Sequence, residues 1–153
     1  MIRVTDQPFR ISDAVADFEA QAAGAGAIVT FSGLVRPQAK GEDVTTLHLQ
    51  AYSPMTENGI RKAVTRAQDK WPLTAVQVIH RIGDMSPGDA IVFVATASAH
   101  RRAAFEAADF LMDYLKTDAV FWKKEVTPSG AHWIEPRAED YRDRERWNQE
   151  KGS

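Results

Sequence analysis

Lysines that lie near other cations, or in a dry pocket, release their protons more readily and can act as bases or nucleophiles. The sequence gathers such residues in one stretch: Lys116, then Lys123, Lys124 and Glu125. If Phe121 to Val126 is a strand, alternation puts Phe121, Lys123 and Glu125 on one face and Trp122, Lys124 and Val126 on the other. Lys123 and Glu125 then share a surface that Lys124 does not. A plain cross-strand charge pair on a wet sheet face is the competing reading, and Lys116 at a helix C-terminus is favourable on structural grounds alone.

A second group is Ser98-Ala99-His100-Arg101-Arg102. At a strand-to-helix junction, free N–H groups, the helix dipole and arginines together suit a phosphate or a carboxylate. Equally, Ser98 could cap the helix and the arginines could be solvated. A third group is Phe31-Ser32-Gly33-Leu34-Val35-Arg36, where a strand runs out into a loop, a common place for a ligand clamp. Gly33 within a strand suggests a bulge or a close backbone approach.

The elements that must position these groups are legible from pattern. Ile2 to Val4 starts a strand, and Ser12 is a plausible N-cap for a helix over Ala14 to Ala22. Ala27 to Val35 reads as a buried strand, and Pro37 to Asp43 as a mobile loop. Val44 to Tyr52 alternates as a half-buried strand, with Leu47, Leu49 and Ala51 opposed to His48 and Gln50. Pro54 to Trp71 reads as a helix, Ala75 to Ile82 as a strand, and Gly83 to Asp89 as a turn. Ala90 to Ala97 is the most β-like run. Arg101 to Lys116 is the best helix, with Ala104, Phe105, Ala108, Leu111, Met112 and Leu115 on one face. Val120 to Val126 and His132 to Glu135 form a closing hairpin about Thr127 to Gly130. The order βαββαββαββ, with about three helices and hairpin-length turns, predicts an α+β fold with a mostly antiparallel sheet. Residues 1–137 are expected to form a single domain, and 138–153 a charged, partly disordered or partner-ordered tail.

Composition removes several classes of function. There is no cysteine, hence no disulfide, zinc-thiolate site, iron–sulfur cluster or cysteine nucleophile. Any sulfur chemistry must use sulfur brought by another molecule. The formal net charge of −2 speaks against nucleic-acid binding. No apolar run is long enough to span a bilayer and no signal-peptide core is evident, so the cytoplasm is the expected compartment. The histidines at 48, 80, 100 and 132 lack metal-site spacing, and no P-loop, GxGxxG or GxSxG motif occurs. Neither a metal nor a cofactor is expected. His80, in an apolar strand, reads as structural.

From about Pro8 to Trp147 the chain resembles the molybdopterin synthase large-subunit family. The resemblance is carried by Thr30-Phe31-Ser32-Gly33, Tyr52-Ser53-Pro54-Met55-Thr56, His80-Arg81-Ile82-Gly83, Pro87-Gly88-Asp89, Ser98-Ala99-His100-Arg101, Met112-Asp113-Tyr114-Leu115-Lys116-Thr117 and Phe121-Trp122-Lys123-Lys124-Glu125. It implies an α/β-hammerhead-like fold and an enzyme paired with a small ubiquitin-like subunit whose Gly-Gly tail carries a thiocarboxylate. Two such sulfurs would pass to cyclic pyranopterin monophosphate to form the molybdopterin dithiolene, in a heterotetramer built around a homodimer of this chain. The lack of cysteine agrees independently with a sulfur donor that arrives on a partner.

The resemblance implies Lys116 and Lys123 as catalytic. Lys116 would meet the thiocarboxylate, and Lys123 would help proton transfer and phosphate opening. Phe31, Leu34, Val35, Arg36, His100, Arg101, Met112, Lys124, Glu125 and Arg137 form the implied substrate-binding set. Two positions depart from the family: Ala39 where relatives usually carry asparagine, and Leu34 where some carry lysine. A non-catalytic adaptor for an ubiquitin-like tail is the alternative, against which the intact Lys116 and Lys123 speak. One geometric difficulty follows from the helix. Arg101 and Lys116 are fifteen residues apart, roughly 22 Å at ~1.5 Å per residue. A cleft for one pterin is smaller, which predicts a site shared between two copies, with His100 and Arg101 coming from the second.

Overall fold

A computed structural model describes residues 1–117, 121–135 and 137–149. Val120, assigned above to a strand, and residues 150–153 of the tail lie outside the described residues.

The chain runs β1 (Ile2–Thr5), α1 (Ile11–Gln21), β2 (Ala27–Leu34), β3 (Gln38–Ala39), β4 (Glu42–Asp43), β5 (Thr46–Ala51), α2 (Met55–Lys70), β6 (Leu73–Arg81), β7 (Gly83–Met85), β8 (Ala90–Ser98), α3 (Arg101–Thr117), β9 (Phe121–Thr127), β10 (Gly130–Ile134) and α4 (Ala138–Gln149). This is the expected α+β arrangement with one helix more. The strands form a four-stranded sheet β1-β6-β8-β2, a second sheet β10-β9-β5-β7, and the small hairpin β3-β4. Among the described residues only β1 and β6 pair in parallel; the other pairs are antiparallel.

The first sheet is covered on both faces, which explains why β8 is apolar without alternation. Val92 and Val94 point to α2 and α3, packing with Ile60, Val64, Phe110 and Leu111. Phe93, Ala95 and Ala97 point the other way, to Phe18 and Ala14 of α1. In the second sheet, Leu47 and Leu49 are buried with Val35, Val44 and Met85, as the alternation in β5 requires. The chain passes from the first sheet to the second between β6 and β7, across the single residue Ile82.

Four local expectations change. Arg10, not Ser12, stands at the N-cap of α1, without a side-chain capping bond. The segment 37–43, read as a mobile loop, contains β3 and β4. Glu42 ties this hairpin to the β9–β10 turn by accepting from the hydroxyls of Thr127 (3.1 Å) and Ser129. The turn at 83–89 begins as β7, because His48 and Leu49 of β5 offer it a partner strand.

The largest change is α4, where a frayed or partner-ordered tail is expected. Its mean composition is polar, but Trp147 is only 5% exposed and meets Trp71 and Phe110 edge-on. Arg146 reaches Asp109 (2.7 Å) and Asp113 (3.0 Å), and Trp147 Nε1–H donates to Asp113 (2.6 Å). One aromatic anchor plus two acids on α3 therefore order a helix that could not bury a face alone. Trp147→Ala is expected to destabilise the protein by about 3 kcal/mol, the usual cost of deleting a buried aromatic. Denaturant unfolding monitors this, and Trp147→Phe should lose clearly less because it keeps a ring in the same space.

Candidate functional site

The lysine site is built where α3 ends and β9 begins. Lys116 occupies the last turn of α3 and is exposed. Lys123 lies on β9 opposite Leu49 of β5 and Ile134 of β10. Lys123 and Glu125 both face a narrow cavity of about 40 Å³, whose wall also includes Leu34, Val35, Arg36, Val44, Leu47 and Ile91. The phase of β9 is therefore the one alternation predicts. Lys124 projects from the opposite face and places its ammonium 5.3 Å from the centre of the Trp133 ring. There it belongs to an exposed aromatic cluster in which Trp122 meets both Trp133 and Tyr52 edge-on.

Arg36 reaches the cavity because β2 is bulged. Pairing with β8 slips between Gly33 and Leu34, so that Leu34 lies opposite Ala90. A side chain at Gly33 would come within 2.7 Å of a Val92 methyl, so the bulge and the close approach expected there coincide. Beyond the bulge the chain stays anchored: Val35 N–H donates to the Asp89 carbonyl (2.9 Å) and Gly88 N–H to the Val35 carbonyl (2.8 Å). Val35 is buried, Leu34 is 49% exposed and Phe31 is 41% exposed.

The electrostatics follow from this geometry. Burial pushes the Lys123 ammonium below the usual lysine range, and the positive charges of Lys116 and Arg36 push it the same way. Glu125 and Asp140 partly offset them. Among the described residues, three cations (Arg36, Lys116 and Lys123) converge here against two acids (Glu125 and Asp140), a balance that favours an anion.

Sequence reasoning missed the part that His80 plays. His80 stacks on Phe121, ring centres 4.0 Å apart and planes 22° apart, at the start of the lysine-bearing strand. Its Nδ1 lies 3.0 Å from the Arg81 carbonyl, which assigns the proton to Nδ1. Burial, together with the charges of Lys123 and Lys116, lowers its pKa to about 4, so it is neutral at physiological pH. An apolar strand pattern cannot announce such a neighbour; only the packing of β6 under β9 does.

A model of the MoaE protein family matches residues 4–118. The chain belongs to the MoaE family. It is 52% identical over 133 residues to the molybdopterin synthase catalytic subunit of Vibrio cholerae, covering 86% of this chain and 89% of that one. To the Escherichia coli protein of the same name it is 48% identical over 146 residues, covering 95% and 97%. Among solved structures, the MoaE protein of Burkholderia ambifaria superposes with a TM-score of 0.81 at 39% identity, over 97% of each chain.

Within one MoaE-family chain, the structure brings together Arg36, Lys116, Lys123 and Glu125, with Leu34 and Val35 in the wall. Met112 lies one turn before Lys116, half-buried against the core. Arg137 is exposed and pairs with Glu139 (3.5 Å) and Asp140 (3.6 Å) at the start of α4. His100 and Arg101 are not brought to this cluster. They are exposed at the opposite end of the unbroken helix α3. Ser98 does not cap that helix; its hydroxyl donates to the Pro72 carbonyl (2.8 Å). A roomier groove of about 470 Å³ between α2 and α3 is lined by Met55, Lys62, Arg66 and Tyr114, and holds none of the candidate catalytic or substrate-binding residues.

Proposed function

We propose that this chain, as a molybdopterin synthase catalytic subunit, transfers sulfur from the C-terminal thiocarboxylate of a small ubiquitin-like subunit to cyclic pyranopterin monophosphate, forming the molybdopterin dithiolene. The observation that carries this reading is a narrow cavity walled by both Arg36 and Lys123, with Lys116 close enough for its charge to act on Lys123. The incoming tail is anionic and so is the phosphate of the substrate, and a preorganised set of cations stabilises both without reorganising during reaction. Lys116, exposed on the last turn of α3, meets the thiocarboxylate. Lys123, whose ammonium burial and neighbouring cations already disfavour, exchanges protons with the substrate more readily than an ordinary lysine. Glu125 shares its face, and its negative charge acts on Lys123. The relatives' name, catalytic subunit, itself supports a second, non-catalytic subunit as partner. We place the reaction in the cytoplasm, where the sulfur carrier would be made.

The cavity within one chain is about 40 Å³, well below the ~300 Å³ at which small-molecule pockets begin. The rest of a pterin site must be supplied from outside this cluster. A second copy bringing His100 and Arg101 fits that need, since a two-fold dimer makes each such contact twice.

The decisive comparison is Lys123→Ala against Lys124→Ala, assayed for molybdopterin formation with a thiocarboxylated carrier. The first should lose about a hundredfold or more, the usual weight of a proton-transfer group. The second should stay within a few-fold, because Lys124 lies over Trp133 on the far face. Equal losses would refute the assignment.

A further inference from the structure

β10 ends at Ile134, paired with Lys123, and α4 begins four residues later at Ala138, so α4 starts near the lysine strand and runs back along α3. Arg146 and Trp147 pin the C-terminal part of α4 to Asp109 and Asp113. Going back along α4 from Arg146 to Asp140 covers roughly 9 Å at ~1.5 Å per residue. That is toward the end of α3 that carries Lys116. Asp140 thus arrives at the lysine site, with its side chain only 12% exposed. One carboxylate oxygen accepts the Arg137 backbone N–H (2.9 Å), and the other faces the Arg137 guanidinium (3.6 Å).

Among the described residues, five charged or titratable groups face Lys123 from the elements around it: Lys116 from α3, Arg36 from the end of β2, Glu125 from its own strand, Asp140 from α4, and His80, neutral, from β6. Glu125 and Asp140 are the two acids among them.

We propose that Asp140 is a positioning residue of the lysine site, its carboxylate, fixed by the Arg137 backbone N–H, setting the charge against which Lys123 works. This rests on the reading of Lys116 and Lys123 as the catalytic pair. The plainer role is that Asp140 only completes a capping box at the start of α4, as an acid three residues after the N-cap does. The two roles separate because asparagine keeps an oxygen to accept the Arg137 N–H yet removes the charge.

The test uses the full chain with its lysines reductively methylated with carbon-13, each titrated by NMR. The Lys123 signal is assigned by its loss in Lys123→Arg. A nearby negative charge favours a charged lysine, so Asp140→Asn should lower the Lys123 midpoint by roughly half a pH unit or more. Asp140→Glu should restore most of it. In the sulfur-transfer assay Asp140→Asn should lower turnover more than Asp140→Glu. A Lys123 titration unmoved by Asp140→Asn, or moved equally by both variants, overturns the proposal and leaves Asp140 as a cap. The titration needs no substrate, so it stands or falls apart from the sulfur-transfer reading.

Discussion

Lys116→Ala is expected to lower molybdopterin formation by at least about a hundredfold, the weight of a charged group that acts on the reacting atoms. The same variant should unfold at nearly the same denaturant concentration as the parent and should still bind the small subunit. The separation is expected because Lys116 is exposed on the last turn of α3 and makes no contact in the core, while Leu115 and Leu111 carry the packing of that helix. Its favourable placement at the helix C-terminus is worth at most about 1 kcal/mol at an exposed site, too little to threaten the fold. Single-turnover measurements with a preformed thiocarboxylate distinguish failed chemistry from failed docking. Parent-like turnover in Lys116→Ala would remove it from the mechanism.

Chains carrying Arg101→Ala and chains carrying Lys116→Ala should each be nearly inactive, yet a mixture that has exchanged subunits should recover part of the activity. In a mixed dimer one site receives both substitutions and the other receives neither. Random exchange yields half mixed dimers, each with one intact site, so recovery approaches roughly a quarter of the parent sites. The expectation rests on the unbroken run of α3 from Arg101 to Thr117, which holds its two ends apart within any one chain. It rests also on the small size of the single-chain cavity. If exchange is demonstrated by mass and no activity returns, both residues serve a site within one chain, or Arg101 serves only the fold.

Much of this protein is written in local pattern. The phase of β9, and with it the opposition of Lys123 to Lys124, follows from strict alternation, because side-chain direction along a strand has period two whatever the strand packs against. The apolar run of β8 and the amphipathic face of α3 likewise announce a covered sheet and the helix that covers it. The bulge at Gly33 is legible because glycine in a strand signals a close approach.

What the tertiary structure alone decided are contacts between segments distant in sequence. His80 meets Phe121 across two elements that no periodicity links. The tail became α4 because Phe110 and Asp113 of α3 and Trp71, just past the end of α2, give Trp147 a place to be buried; its own mean composition is that of solvated chain. The loop after Arg36 became a hairpin because Glu42 finds Thr127 and Ser129. Pattern reports the free energy a segment gains from its own neighbours and its own face. It carries no record of which distant surface completes that burial, and Asp140 reached the lysines through that second kind of information.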